Sequence, residues 1–209
     1  MTPEEFAETV RTENETALSR LGSSKALYAD TEGAMDANEV LRAATTAEFH
    51  ARETFAQWAD SETHDGARQA FETTAAEEGE HYGLVTERLD GTHEPGDTPA
   101  IQESLRTQTD TIGRAGAFFG RTIATDESKS QLVGFFVGQA DTSGADLFRE
   151  IGGDVDDQSE RAKEVLGEVC DDAADWERAR EAAGDAIQSA YDEYTETLEE
   201  MGVNPKPVC

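Results

Sequence analysis

Lysine is scarce in this chain of 209 residues: only four of its 17 basic residues are lysines (Lys25, Lys129, Lys163 and Lys206). Aspartate and glutamate together number 46, which gives a net charge of −29. This charge argues against binding to nucleic acid or to anionic membranes, because both would repel the protein. An acid-rich, lysine-poor surface is typical of halophilic proteins, in which molar salt shortens the Debye length to about 3 Å and screens self-repulsion.

Long apolar runs and cysteine-rich motifs are also lacking. The most hydrophobic stretch, residues 132–137, is far too short to span a membrane, and residues 1–20 contain no signal-like apolar core. These absences predict a cytoplasmic protein without a membrane partner. Cys170 and Cys209 are too few for a disulfide scaffold or a four-cysteine iron site. We expect free thiols in a reducing cytosol, although the two could pair or join subunits.

Helix signals dominate, and convincing strand alternation is absent, so the sequence predicts an all-α fold in a single domain, residues 1–209. The helix starts include a capping box at Thr2-Pro-Glu-Glu5 and a similar start at Asp36. Glycine pairs and polar turns mark the ends. The predicted helices cover about 3–21, 24–29, 36–60, 64–89, 98–124 and 126–151, followed by a helical extension over 157–202 with a break near 170–172.

Three residues on two of these helices form the main candidate site. Glu48 and Glu78 are equally distant from residue 63, in the polar turn 60–66. If the two helices pack antiparallel, both carboxylates lie at one level, about 20 Å from the bend at 1.5 Å per residue. His81 follows Glu78 by three residues and shares its helix face. Two carboxylates and an imidazole are suitable ligands for iron, manganese or zinc.

These residues lie within periodic apolar stripes, so they are predicted to face a neighbouring helix. The stripes are Leu41, Ala44, Glu48, Ala51, Phe55 and Trp58 on one helix, and Ala67, Phe71, Thr74, Glu78, His81 and Val85 on the other. A buried charge costs several kcal/mol unless it is paired or bound to a metal. A metal site is the favoured interpretation; the alternatives are a metal-free buried polar cluster and a wrong assignment of the helix face.

The segments Thr46-Ala-Glu-Phe-His-Ala-Arg-Glu53 and Thr74-Ala-Ala-Glu-Glu-Gly-Glu-His81 resemble the first helical hairpin of rubrerythrin and ferritin-like proteins. In that superfamily one helix supplies Glu and the next supplies Glu-x-x-His. The resemblance implies a ferritin-like four-helix bundle over about residues 36–151, with additional helices at 3–30 and 157–202. It implies metal ligands Glu48, Glu78 and His81, with iron as the cofactor. The rubredoxin-like Cys-x-x-Cys motifs of typical rubrerythrins are absent.

A complete ferritin-like di-iron site needs a second Glu and a second Glu-x-x-His from two further helices. The predicted helix over 98–124, third in the bundle, offers no carboxylate around residues 113–120. The predicted helix over 126–151, fourth in the bundle, offers Asp141 where a ligand could lie, with no histidine three residues later. Both carry small-residue spacings, Gly116/Gly120 and Gly134/Gly138, that suit close helix approach. The second half-site is therefore expected to be missing.

Two functions follow from the incomplete site. In the first, the half-site is completed across a homodimer or higher homo-oligomer, as in encapsulated ferritins, and supports ferrous oxidation or peroxide reduction. In the second, the fold persists without metal as a helical interaction or structural protein. An apolar seam on the last helix (Ile187, Tyr191, Tyr194, Leu198 and Met201) could dock on the bundle or form a dimer seam. The sequence identifies no catalytic residue.

The remaining polar candidates have simpler interpretations. His50 is expected to be solvent-exposed, and His64 and His93 to be polar turn residues. Glu77 and Glu80 are expected to be surface charges, with a supporting contact to His81 as the alternative. Tyr82 is expected to be a core residue rather than a redox-active phenol.

Overall fold

The computed structural model describes residues 1–206, and within this range the protein is all-helical, without strands. The helices are α1 (Pro3–Glu13), α2 (Glu15–Leu21), α3 (Ser24–Asp30), α4 (Ala37–Ser61), α5 (Asp65–Thr86), α6 (Ala100–Arg106), α7 (Thr111–Gly138), α8 (Thr142–Val169) and α9 (Ala173–Glu200). None of the helices in this part of the chain is both long and apolar enough to cross a membrane.

Side-chain caps explain why the first helices begin where the sequence predicts. Thr2 and Glu5 form the reciprocal capping box of α1, and the Asp36 carboxylate accepts two backbone N–H bonds at the start of α4. His64 caps α5, because its Nδ1 accepts from the Ala67 N–H at 3.2 Å. The single helix predicted over 3–21 is instead two helices, divided at Asn14, whose side chain donates back to a carbonyl of α1.

The boundaries predicted for the helices over 98–124 and 126–151 are wrong. Residues 98–124 contain the short α6 and the first half of α7, and the break expected at 124–126 lies inside α7. The buried face of the helix continues past this point through Ala124, Lys129, Leu132 and Phe136, so the helix does not end there. The interruption comes at Ala140, whose φ of +57° ends the helical path, and Asp141 then caps α8. Gly152 and Gly153, the expected helix end, lie within α8.

Helix α7 is the central element, packed against α8 on one side and α9 on the other. Gly116 and Gly120 permit the close approach to α9: an added Cβ would lie 2.1 Å from the Ala179 carbonyl oxygen and 2.4 Å from that of Ala183. The expectation of a second close approach at Gly134 and Gly138 is wrong, because both are exposed and an added Cβ there would meet nothing within 4 Å.

Helices α4 and α5 form an antiparallel pair, and α5 also packs against α8. Two apolar clusters fill the space between these helices and α7. The lower cluster includes Phe55, Trp58, Phe71, Phe118, Phe119 and Leu166. The upper cluster includes Val40, Leu41, Val85, Leu132, Phe136 and Phe148. Buried polar side chains lie between the two clusters and form what we call the polar layer. Its charged and hydrogen-bonding members are Glu48 of α4, Glu78 and His81 of α5, Arg121 and Lys129 of α7, and Gln158 of α8.

The apolar seam of α9 is used inside the chain. Ile187, Tyr194 and Leu198 are buried, and Tyr194 and Leu198 pack with Ala26 and Ala29 of α3. Of the two readings of this seam, docking on the rest of the protein matches these contacts.

Candidate metal centre

The structure brings Glu48, Glu78 and His81 together in the polar layer. One potential ligand atom from each lies within 4.8 Å of the others, and all three side chains are buried. Glu48 projects from the middle of α4, and Glu78 and His81 from the middle of α5. Their burial excludes a wrong assignment of the helix face. Since two ligands about 2.1 Å from one ion can be separated by up to about 4.2 Å, small side-chain movements would suffice to bind a single metal.

The Glu48 carboxylate is paired with a lysine. The Lys129 ammonium, from α7, contacts Glu48 Oε1, and the lysine side chain is 5% exposed. This buried charge pair offsets part of the cost of burying Glu48. Lys129 was not predictable as part of this layer, because a lysine on a helix is ordinarily expected to face solvent.

The Glu78 carboxylate is held through one of its two oxygens. Glu78 Oε1 forms an ion pair with Arg121 Nη1 at 2.8 Å and accepts a hydrogen bond from Gln158 Nε2 at 2.9 Å. Arg121 and Gln158 also bond to each other, Nη1 to Oε1, at 2.7 Å. Glu78 Oε2 is buried and has no hydrogen-bond partner. The triangle of contacts therefore fixes the carboxylate while leaving one oxygen free.

The His81 ring is oriented by Asp154 of α8. His81 Nε2 lies 2.9 Å from Asp154 Oδ2, whereas the buried Nδ1 has no partner and lies 3.9 Å from Glu78 Oε2. In a neutral ring, a proton on Nε2 donated to Asp154 leaves a lone pair on Nδ1. Metal-binding histidines commonly use such a carboxylate partner on their second nitrogen. The donor set therefore fits a metal ion.

Burial and mutual proximity shift the pKa values of the three groups. Burial raises the pKa of Glu48, and the neighbouring Glu78 adds to this effect, although Lys129 opposes it. Burial acts in the same direction on Glu78, but Arg121 and the surrounding hydrogen bonds hold its pKa well below the ordinary value. Burial disfavours a charged His81, but the surrounding carboxylates outweigh this and raise its pKa.

A second set of contacts supports the centre from outside. Arg161 of α8 forms a two-pronged ion pair with Glu77, at 2.7 and 2.9 Å, and also donates to Thr74. Glu77 accepts from Gln158 as well, at 3.2 Å. Glu77 is therefore only partly exposed and is linked to Glu78 through Gln158, whereas Glu80 is exposed as expected.

The other histidines lie outside the centre. The expectation that His50 is exposed is wrong: it is buried, and its Nε2 lies 3.0 Å from the Gly96 carbonyl oxygen. This contact holds the segment after α5 against α4. His64 caps α5 in the turn, and His93 lies 3.0 Å from the Thr46 hydroxyl, so both are polar loop residues.

Asp141, Tyr82 and Cys170 do not belong to the Glu48, Glu78 and His81 cluster. Asp141 caps α8 and accepts a hydrogen bond from Arg88, so it does not join the cluster. Tyr82 is partly buried against Phe49 at the surface of α4. Cys170 is a buried free thiol, and burial raises its pKa to about 11. Cys209 lies outside the described residues.

Comparisons of the chain with protein families, with curated proteins and with solved structures give no match.

Proposed function

We propose that this is a ferritin-like metal protein that binds one ion, iron or else manganese or zinc, through Glu48, Glu78 and His81. The observation that carries the proposal is the pair of unpartnered atoms Glu78 Oε2 and His81 Nδ1. Both are buried and near each other, while the opposite atom of each side chain is held by a neighbour. Buried polar atoms without partners are uncommon, and a cation between these two would satisfy both.

Each residue of the polar layer has a distinct part in this proposal. Glu48, Glu78 and His81 would hold the ion, and Asp154 would fix the tautomer and orientation of His81. Arg121 and Gln158 would keep Glu78 turned so that Oε2 faces the site. Bound iron would supply ferrous oxidation or peroxide reduction, because carboxylate ligands stabilise the higher oxidation state.

The ferritin-like bundle in this proposal consists of α4, α5, α7 and α8. Two features support it: the antiparallel pairs α4–α5 and α7–α8 pack together, and a long connection containing α6 joins the pairs. Ferritin-like folds have one such crossover connection. The second pair contributes Arg121, Lys129 and Gln158 to the layer, and the half-exposed Asp154 beside it, instead of a second Glu and Glu-x-x-His set.

The position of the ligands favours a site completed within one chain over one completed across a dimer. α7 and α8 of the same chain cover Glu48, Glu78 and His81, which are 1%, 0% and 2% exposed. A symmetry mate could not reach them without separating these helices. Homo-oligomerisation remains a prediction that does not depend on the centre.

A metal-free interaction or structural protein is the second candidate function. One observation favours it: Lys129 and Arg121 already neutralise the two carboxylates. In that case the layer would serve only to organise the helices.

The test is the metal content of untagged protein, measured as metal per chain by plasma mass spectrometry. We expect about one ion per chain, and we expect His81→Ala to lower this sharply because the unpaired Nδ1 ligand is lost. Asp141→Asn is the matched control, since asparagine caps a helix as well as aspartate and the residue lies outside the cluster. Absence of metal from protein reconstituted with each of the three ions would favour the metal-free function.

A further inference from the structure

Lys129 occupies an unusual position for one of only four lysines in the chain. It lies in the second half of α7, between the two apolar clusters, and is 4% exposed. The start of its side chain faces Gly152 of α8, where an added Cβ would lie 4.0 Å from Lys129 Cβ. Its ammonium reaches Glu48. A flexible cation thus contacts one of the three proposed ligands from inside the protein.

The charges of the layer balance before any ion binds. Glu48 and Glu78 face Lys129 and Arg121, so a divalent ion added to these four residues would leave an excess of positive charge in a poorly solvated site. The two cations differ in mobility. Arg121 is fixed by bonds to Glu78 and Gln158 and leaves Glu78 Oε2 free, whereas the lysine ammonium has a long, flexible stem.

We propose that Lys129 is a built-in competitor for the divalent cation and determines the affinity and stoichiometry of the centre. The ammonium is paired with the Glu48 carboxylate in the metal-free protein and moves aside when an ion binds. It also supplies a cation where a second pair of carboxylates would be needed, so the centre takes one ion and not two. This inference rests on the proposed function.

The experiment measures the binding of Mn²⁺ alone, with free ion counted by electron paramagnetic resonance in molar potassium chloride to suppress binding to the acidic surface. Lys129→Gln removes the competing charge, and we expect it to tighten binding at one site by roughly tenfold or more. Lys129→Arg keeps the charge and should not tighten binding. Lys163→Gln makes the same charge change at a lysine paired with Glu160, outside the centre, and should match the unmodified protein.

The outcomes separate the inference from the proposed function. Equal affinity of the Lys129→Gln variant and the unmodified protein would overturn the inference while the metal function stands. Binding by the variant alone would support the inference and refute metal binding by the natural chain. Binding by neither would overturn both. If Lys129→Gln does not fold, Lys129→Met provides the same measurement, and loss of the tight site on adding His81→Ala shows that the ion occupies this centre.

Discussion

At the scale of single residues, the charged partners within the polar layer determine whether the folded protein can bury it. Arg121 is the main cation beside Glu78, and its guanidinium also lies 5.6 Å from the centre of the Phe55 ring, at the edge of the lower apolar cluster. The layer therefore depends on Glu78 keeping its counter-charge. Removing one partner of a buried ion pair costs more than the pair contributes, because the other charge remains buried.

We expect Arg121→Met to lower the free energy of unfolding by about 3–5 kcal/mol, because Glu78 loses its counter-charge. Adding Glu78→Gln should restore much of this loss, because it removes the uncompensated charge while keeping a hydrogen-bonding side chain. The measurement is denaturant unfolding with chelator present, so that metal does not contribute. Arg149→Met is the control: Arg149 pairs with Asp146 at the surface, and its loss should cost less than about 1 kcal/mol. A double variant no more stable than Arg121→Met would contradict the pairing account.

The residues of the polar layer could be predicted from the sequence only where a turn position and a helical phase both indicated their location. Glu48, Glu78 and His81 were predictable because the turn at residue 63 and the helical phase both place them at one level. Lys129 and Arg121 were not, because charged residues on a helix are ordinarily assigned to solvent. Asp154 lay between the predicted helix over 126–151 and the predicted extension over 157–202, and Gln158 lay in that extension, whereas both belong to α8.

At the scale of helices, the starts were predictable from capping residues, but the lengths of the helices were not. Thr2, Asp36 and the His64 turn mark helix starts through side-chain chemistry that is local in sequence. The uninterrupted 28 residues of α7 depend on burial against α8 and α9, which no short window of sequence contains. Thr125 and Asp126 resemble a helix start but lie partly exposed within the helix.

The α7–α9 contact gives a prediction about two glycines of the same helix. Gly116→Ala places a methyl group against the Ala179 backbone, which cannot move without separating the helices, so we expect a loss of about 1–3 kcal/mol or more. Gly134→Ala, where the added group meets nothing, should stabilise the protein by about 0.5–1 kcal/mol through helix propensity. Thermal unfolding of the two variants provides the measurement. Equal effects would show that α7 and α9 are not in close contact.

At the scale of the whole molecule, the net charge of −29 dominates the response to solvent. The Debye length is about 30 Å at 0.01 M salt, so repulsion between acidic side chains extends across the protein, whereas at molar salt it is confined to near neighbours. Repulsion opposes the compact state, whose net stability is only about 5–15 kcal/mol.

We therefore expect the thermal midpoint to rise steadily from low to molar potassium chloride. Circular dichroism across a salt series provides the measurement, with potassium chloride compared against sucrose to separate screening from general stabilisation by an excluded solute. A midpoint that stays flat between low and molar salt would show that the acidic surface is tolerated without screening.

The polar layer between two apolar clusters also restricts which alternative packings the chain can adopt. Apolar side chains alone would tolerate α7 sliding along α4, since leucine and phenylalanine contacts are largely interchangeable. A slide of one turn, about 5.4 Å, would carry Lys129 away from Glu48 and leave both charges against hydrocarbon. Arg121 and Glu78 would separate in the same movement. The layer thus fixes the register of α7, because any other register would leave buried charges without partners.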